Sequence, residues 1–335
     1  MGTIHIHFED MKSEFQRVLV KVGFTLERAE RLADILAQNS LDGVASHGWD
    51  RFLALIKQIE QGYVKIDAEP EKVNSFGAWE QWDAKLGPGP LNALVATNRA
   101  MELARKYGIG CVGLSNTNHW MRAGTYGQVA AKAGFAMLCW TNATAVMPPY
   151  GSRDIRLGNN PLVLAVPRRE GPVVLDIAMS QYSFGKLEVL RRRGEKLPVP
   201  GGVDSDGRPT QDAAVILESG RALPIGYWKG AGLSLLLDMT ATLIACGQAT
   251  YQIRQREAEY GLSQVFIAFD ITQSAGAAWI EQEVHNIIAD LQQAEPEAPA
   301  VEVLFPGERV LRTRQENLTN GIPVDETVWQ AIINV

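Results

Sequence analysis

Residues 107–120 read YGIGCVGLSNTNHW, and the fold turns on how its glycines are interpreted. Gly108, Gly110 and Gly113 have the G-x-G-x-x-G spacing of a dinucleotide-binding turn. In that turn a strand precedes the glycines and a helix N-terminus follows them, so that backbone N–H groups meet a pyrophosphate. Here the order is reversed. The helical pattern LNALVATNRAMELARKY (91–107) comes first, Gly108 stands where its C-cap belongs, and CVGLS (111–115) follows as a strand. The acidic residue that the fingerprint wants about twenty positions on is also missing. The glycines therefore predict a helix–turn–strand junction, not a Rossmann turn.

On the N-terminal side the chain reads as helical. FEDMKSEFQRVLVKVG (8–23) sets Phe8, Met11, Phe15, Val18, Leu19 and Val22 at three-and-four spacing, and Gly23 stops the pattern. Thr25 is a good N-cap for LERAERLADILAQN (26–39), and WDRFLALIKQIEQG (49–62) repeats the stripe with Phe52, Leu55, Ile56 and Ile59. From about Phe76 short β-rich runs alternate irregularly with helices. The strands are CVGLS, FAMLCWT, PLVLAVP, VVLDIA and QVFIAF; the helices span 91–106, 125–133, 184–193, 230–246 and 277–293. Without strict βαβ alternation, the class is α/β in the mixed α+β sense: a mixed sheet covered by helices, plus a helical lobe. The expected units are a helical lobe over 1–75, joined by 277–335, and a mixed-sheet unit over 76–276.

The bulk composition excludes several functions. Of the 335 residues, 46% are hydrophobic and 21% charged, which excludes wholesale disorder. A net charge of -6 would repel a nucleic-acid backbone, so no nucleic-acid partner is expected. The longest apolar stretch, GAGLSLLLDMTATLIACG (230–247), is short for a bilayer and broken by Asp238, and MGTIHIHFED lacks the features of a signal peptide. A cytoplasmic protein with no membrane partner is expected. Cys111, Cys139 and Cys246 are far apart and read as small buried hydrophobes, and no metal set is evident.

Three places carry chemistry. In LDGVASHGWDRF (41–52), His47 precedes Arg51 by four residues, so in a continuous helix the two would share a face. An imidazole moves a proton near neutral pH and a guanidinium grips a carboxylate through two parallel hydrogen bonds, a pairing suited to reducing a 2-oxo acid. The same spacing also occurs on ordinary helix surfaces. Arg51 would lower the pKa of His47, and Asp42, Asp50 or Asp176 is expected to offset it. His119 lies in NTNHWMRAGTYG (116–127), a loop after a strand, with Asn116, Asn118 and Arg122 for polar company; a turn-capping role is equally open. Lys229, Gly230 and Gly232, at the start of a long apolar helix in PIGYWKGAGLSLLLDM (224–239), read as a phosphate cradle or as an ordinary helix start.

VASHGWDRF, NTNHWMRAGTYG, CWTNATAVMPPYG, LGNNPL, VLDIAMSQYSFGKLEV and PIGYWKGAGLSLLLDM occur in order, with NGIPVDETVW near the end. Together they resemble the second family of malate and L-lactate dehydrogenases, over nearly the whole chain. The resemblance implies a non-Rossmann nicotinamide-binding fold, a homodimer, and His47 as proton donor. It implies NAD contacts at Pro172, Val173, Val174, Leu175, Asp176, Ile177 and Ala178, at Trp228 and Lys229, and at Gly307, Glu308 and Arg309. Glu308 and Arg309 depart from the related pattern, which has histidine and glutamate there. The implied reaction is hydride transfer from NADH to the C2 carbonyl of a small 2-oxo acid, 2,3-diketo-L-gulonate, giving 3-keto-L-gulonate. Arg51 would hold the C1 carboxylate, and His119 with Asn116 or Thr141 would polarise the carbonyl or order the nicotinamide. Malate, lactate, ureidoglycolate, sulfolactate and a cyclic imino acid are alternative substrates, and a non-catalytic NADH-binding sensor of sugar acids is a different class. The far end of the substrate is expected to meet Trp120, Met147, Tyr150 or Tyr182. NADPH is not separated from NADH by any residue located in the sequence.

Overall fold

The structure, a computed structural model, describes residues 2–298 and 300–335. Strand β1 (Thr3–Ile6) leads into helices α1 (Phe8–Lys21), α2 (Leu26–Leu41) and α3 (Trp49–Glu60). The stripes read from sequence turn toward one another. Met11, Phe15, Leu32, Leu36 and Phe52 are fully buried, and the rings of Phe15 and Phe52 stack at 4.3 Å between centroids. Burial of each such side chain contributes about 1.5–3 kcal/mol. Thr25 caps α2 by accepting from the Arg28 N–H, as expected.

Next come β2 (Glu71–Phe76), β3 (Trp79–Asp83), α4 (Gly89–Tyr107), β4 (Ile109–Thr117), α5 (Gly124–Lys132) and β5 (Ala136–Thr141). A two-stranded ribbon of β6 (Ala145–Met147) and β7 (Leu157–Gly158) precedes β8 (Leu162–Val166) and β9 (Val173–Ile177). An excursion then carries α6 (Phe184–Arg193), β10 (Gly202–Val203), β11 (Pro209–Thr210) and α7 (Ala213–Ser219). The chain returns through α8 (Trp228–Ala245), α9 (Thr250–Ile253), β12 (Leu262–Phe269) and α10 (Ala277–Gln292), and ends with α11 (Glu308–Asn320), β13 (Ile322–Asp325) and α12 (Glu326–Ile333).

The main sheet has seven strands in the order β2-β3-β4-β12-β5-β8-β9. Its single parallel pair is β3 with β4, joined by α4; the other neighbours are antiparallel. Helices α4 and α5 cover one face and α8 the other. The opening glycines explain how. Gly108, at φ +84, ends α4 by donating its N–H to Ala104. A Cβ on Gly110 would stand 2.1 Å from the Ala100 carbonyl oxygen in α4, and one on Gly113 would stand 2.6 Å from that of Ile244 in α8. The two glycines therefore let helices close on β4 from both faces, a packing role instead of a phosphate role.

The sheet begins at Glu71, ahead of the boundary expected at 76. Every residue of β2 is exposed, so EKVNSF carries no apolar alternation to announce it. At the other end β13 pairs antiparallel with β1, and Ile322, Val324, Trp329 and Ile332 join the core of α1–α3. Helix α10 instead borders a groove lined by Ala131, Pro167 and Pro172, beside the sheet. Of the cysteines, Cys139 is buried and Cys111 half-buried, but Cys246 is exposed where it ends α8, which corrects the expectation for that thiol. No helix of the described residues is long and apolar enough to cross a membrane.

Candidate active site

A cleft of about 810 Å³ opens between the helical layer and the sheet, and it collects most of the chemistry-bearing residues. His47 ends a single 3₁₀ turn, Ala45–His47, whose backbone is held from two sides. The His47 N–H donates to Val44 (3.0 Å), and its carbonyl accepts from Asn39 Nδ2 (2.9 Å). Gly48 then breaks the chain direction before α3 starts, and a Cβ there would collide with Ser40 Oγ at 2.2 Å. His47 and Arg51 are thus not on one continuous helix as supposed. A turn and the first turn of α3 nevertheless aim both into the same cleft.

His119 enters from the loop after β4. Its ring lies parallel to that of His47, 5.6 Å between centroids and 11° between planes. The Met121 N–H donates to His119 Nδ1 (3.0 Å), so the neutral ring carries its proton on Nε2. Ser46 Oγ lies 3.1 Å from His47 Nδ1. Two elements therefore present a pair of imidazoles with fixed backbones.

The electrostatics favour neutral rings. Burial first, then the charges of Arg51 and Arg122, push His47 down to about 4. His119 is lowered too, again by burial first, then by Arg51 and His47. Two of the three carboxylates expected to offset this are engaged with other partners. Asp42 is buried in ion pairs with Arg122 and, at 2.7 Å, with Arg314. Asp176 accepts the Gly124 N–H at 2.7 Å and lies 4.0 Å from Arg122 Nε. Asp50 lines the cleft together with Glu188 and Arg192 of α6. The Asp42–Arg122 pair, which sequence reading did not find, ties the end of α2 to the loop that bears His119. It fixes the two histidines relative to each other. No sequence signal finds it, because its members are 80 residues apart.

Of the other expected site residues, Thr141, Val174, Leu175, Asp176, Ala178 and Gly307 line the same cleft. Asn116 does not: its Nδ2 donates to Asp83 Oδ1 (3.1 Å), tying β4 to the end of β3. Pro172 lies on the neighbouring groove, and Val173 and Ile177 are absent from the cleft lining. Trp228 and Lys229 are exposed at the start of α8 and do not reach this cleft. Gly230 is required there because a Cβ would stand 2.1 Å from the Ile225 carbonyl oxygen. The phosphate cradle expected at that helix start is therefore not part of the cleft. Glu308 is turned into its own loop, accepting from Phe305 N–H (3.3 Å) and pairing with Arg312, and Arg309 is exposed. Tyr150 is exposed and Met147 is a core residue; Trp120, buried and stacked on Tyr126, contributes to the cleft lining beside His119, while Tyr182 packs on the small core of α6 and α7.

The cleft suits a dinucleotide by size and by lining. Gly307, at φ +94, starts α11 beside β9, where a Cβ would meet Val174 N at 3.1 Å, and no side chain caps that helix. The Glu308 N–H donates to the Phe305 carbonyl (3.1 Å), and no side chain caps the N–H groups of Arg309 and Val310 that follow it. Val174, Leu175, Ala178 and Val146 supply apolar surface.

Comparison with known proteins agrees with this geometry. The family described as Malate/L-lactate dehydrogenase matches residues 6–333. A 2,3-diketo-L-gulonate reductase of Citrobacter koseri is 44% identical over 329 residues, covering 98% of each chain. Among solved structures, a malate dehydrogenase of Entamoeba histolytica superposes with a TM-score of 0.95 at 24% identity, covering 100% of this chain and 99% of that one. A putative malate/lactate dehydrogenase of E. coli gives a TM-score of 0.91 at 28% identity, covering 98% and 93%.

Proposed function

Because the chain belongs to the malate/L-lactate dehydrogenase family, we propose that it reduces the C2 carbonyl of 2,3-diketo-L-gulonate to 3-keto-L-gulonate with NADH. The enzyme is an oxidoreductase of a nicotinamide-dependent family. The observation that carries the reading is the shared cleft of His47, Arg51 and His119. Arg122, the neighbouring guanidinium, is committed to Asp42, which leaves Arg51 to take a substrate carboxylate.

A bound nicotinamide dinucleotide supplies the hydride. The residues that would hold it are those of β9 and the start of α11: Val174, Leu175, Asp176, Ala178 and Gly307. Arg51 binds the C1 carboxylate, and that negative charge beside the imidazole favours its protonated form, countering the burial and, after it, the arginine repulsion that lower His47. The imidazole then takes a proton and delivers it to the developing alkoxide. His119, with its proton on Nε2, donates a hydrogen bond to the same oxygen and leaves proton transfer to His47. This division of labour follows from the Met121 N–H, which occupies His119 Nδ1.

Several finer points belong to the same reading. The substrate assignment is supported by the Citrobacter koseri reductase at 44% identity. NADH is favoured over NADPH by the carboxylate of Asp176 in the β9 lining, which would repel a 2′-phosphate and whose neighbouring cation, Arg122, is paired with Asp42. A homodimer is favoured by the outer face of α8, where Trp228, Leu235, Leu236, Met239 and Leu243 are exposed side by side. An enzyme that draws on the NADH pool belongs in the cytoplasm. Two units, the helical layer with the C-terminal segment and the sheet, would meet at the cleft.

The test is NADH oxidation with 2,3-diketo-L-gulonate, pyruvate, oxaloacetate and a cyclic imino acid, each repeated with NADPH. A clear preference for diketogulonate with NADH supports the reading. Preference for another substrate moves the specificity and keeps the chemistry, and tight NADH binding without turnover on any of them replaces the enzyme by a sensor.

A further inference from the structure

Of the aromatic side chains expected at the far end of the substrate, Tyr150 and Tyr182 do not line the cleft, and Trp120 lines it beside His119. Helix α6 forms the wall that leads away from the histidines. Phe184, Glu188 and Arg192 recur at four-residue spacing and line the cleft, while Leu187 and Leu190 face the other way into a small core with Leu197, Ala213 and Ile216. The helix is seated on the catalytic turn, since a Cβ on Gly185 would stand 2.6 Å from Ser46 Cβ. From Phe184 to Arg192 it extends about 12 Å, so one wall runs outward from the histidines along a path that a chain of several carbons can follow.

The charge on that wall is unusual for an anion-binding cleft. Asp50, next to Arg51 on α3, lines the same cleft as Glu188 and Arg192, and burial raises its carboxyl against the lowering effect of Arg192. Glu188 also pairs with Arg191 at 2.8 Å, outside the cleft lining. Two carboxylates and one guanidinium therefore lie beyond the carboxylate-binding arginine. Carboxylates accept hydrogen bonds from hydroxyl groups and repel a second carboxylate.

We propose that α6 reads the far end of the substrate. Glu188 and Asp50 accept from hydroxyl groups on its carbon chain, Arg192 donates to one, and the wall selects a hydroxylated, uncharged tail over an anionic one. This rests on the reductase reading above and adds the residues that choose the substrate. It explains how one family framework can hold a sugar acid where a relative holds a dicarboxylate.

The experiment compares kcat/KM of the wild type, Glu188→Ala, Arg192→Ala and Glu188→Arg on 2,3-diketo-L-gulonate, pyruvate and oxaloacetate, with NADH and with thermal melts to check folding. In both alanine variants the diketogulonate-to-pyruvate ratio falls on the order of tenfold, the effect of losing one charge-assisted hydrogen bond. In Glu188→Arg the oxaloacetate-to-pyruvate ratio rises by a similar factor. Equal losses on all three substrates, or unchanged ratios, overturn the wall as the reader. A wild type that prefers pyruvate ends the diketogulonate assignment but leaves the wall on trial through Glu188→Arg: a rise in the oxaloacetate-to-pyruvate ratio supports it, and no change overturns it. A wild type that prefers oxaloacetate overturns both.

Discussion

The imidazoles of His47 and His119 lie parallel at 5.6 Å, yet one comes from a turn before α3 and the other from the loop after β4. Both are half-buried beside Arg51, and both are lowered. Stacked rings cannot readily both be charged. The pair therefore accommodates one proton, and the blocked Nδ1 of His119 assigns it to His47.

Replacing His47 with Ala removes the proton donor and leaves the cofactor wall of β9 untouched. Turnover should fall by about 10²–10⁴ while NADH affinity stays near wild type. Steady-state rates and a fluorescence titration of NADH check the two halves separately. Loss of NADH binding in this variant would assign His47 to the framework.

In Arg51→Lys the ammonium cannot form the two parallel hydrogen bonds of a guanidinium. KM for the 2-oxo acid should rise about tenfold or more, with a smaller change in kcat. An unchanged KM would show that the carboxylate is held elsewhere in the cleft.

The pH dependence of kcat reports His47 in the substrate complex. With the carboxylate on Arg51, its repulsion of His47 is offset, so kcat should decline on the alkaline side with a pKa well above the value of about 4 in the open cleft. A profile that declines already near 4 would show that the bound carboxylate does not raise His47.

Stability should respond in the opposite limb. Both histidines titrate near 6.5 in the unfolded chain and lower in the native one, His47 at about 4. As pH falls below 6.5 the unfolded state binds the extra protons, so native stability is full above that pH and declines toward 4. Urea midpoints at pH 7.5 and 5.0 measure the loss, and a His47→Asn, His119→Asn double variant should flatten it. An undiminished slope in that variant would place the titration in other groups.

Asp42→Ala leaves the side chain of Arg122, only 5% exposed, with Asp176 at 4.0 Å as its remaining carboxylate. The cost should be about 3–5 kcal/mol, read from urea unfolding. Because the pair ties the loop of His119 to α2, the residual folded enzyme should also be slow. A loss below 1 kcal/mol would mean that Arg122 finds water or another carboxylate.

Much of this protein is written locally. The three-residue and four-residue apolar spacing of α1–α3, the Thr25 cap, and the reversed helix–glycine–strand order at 107–120 lie within windows of a few turns. They are legible because hydrophobic periodicity and caps act between near neighbours. The motif around His47 and Arg51 is legible in the same way, as a short run whose residue types suit proton transfer, whereas the segment 172–178 is reached only through the family resemblance, because its apolar run by itself reads as a strand. Strand β2 is not legible, since six exposed residues pair only through their backbones.

The sequence by itself determined which residues could do chemistry and that no Rossmann turn holds the cofactor. Tertiary structure alone decided which of them meet. It placed Asn116 on Asp83, spent Asp42 on Arg122 and Arg314, left Trp228 and Lys229 outside the cleft, and brought Glu188 and Arg192 beside Asp50. Charge and hydrogen bonding act through space, and a partner chosen across 80 or 272 positions leaves no periodic trace in the chain.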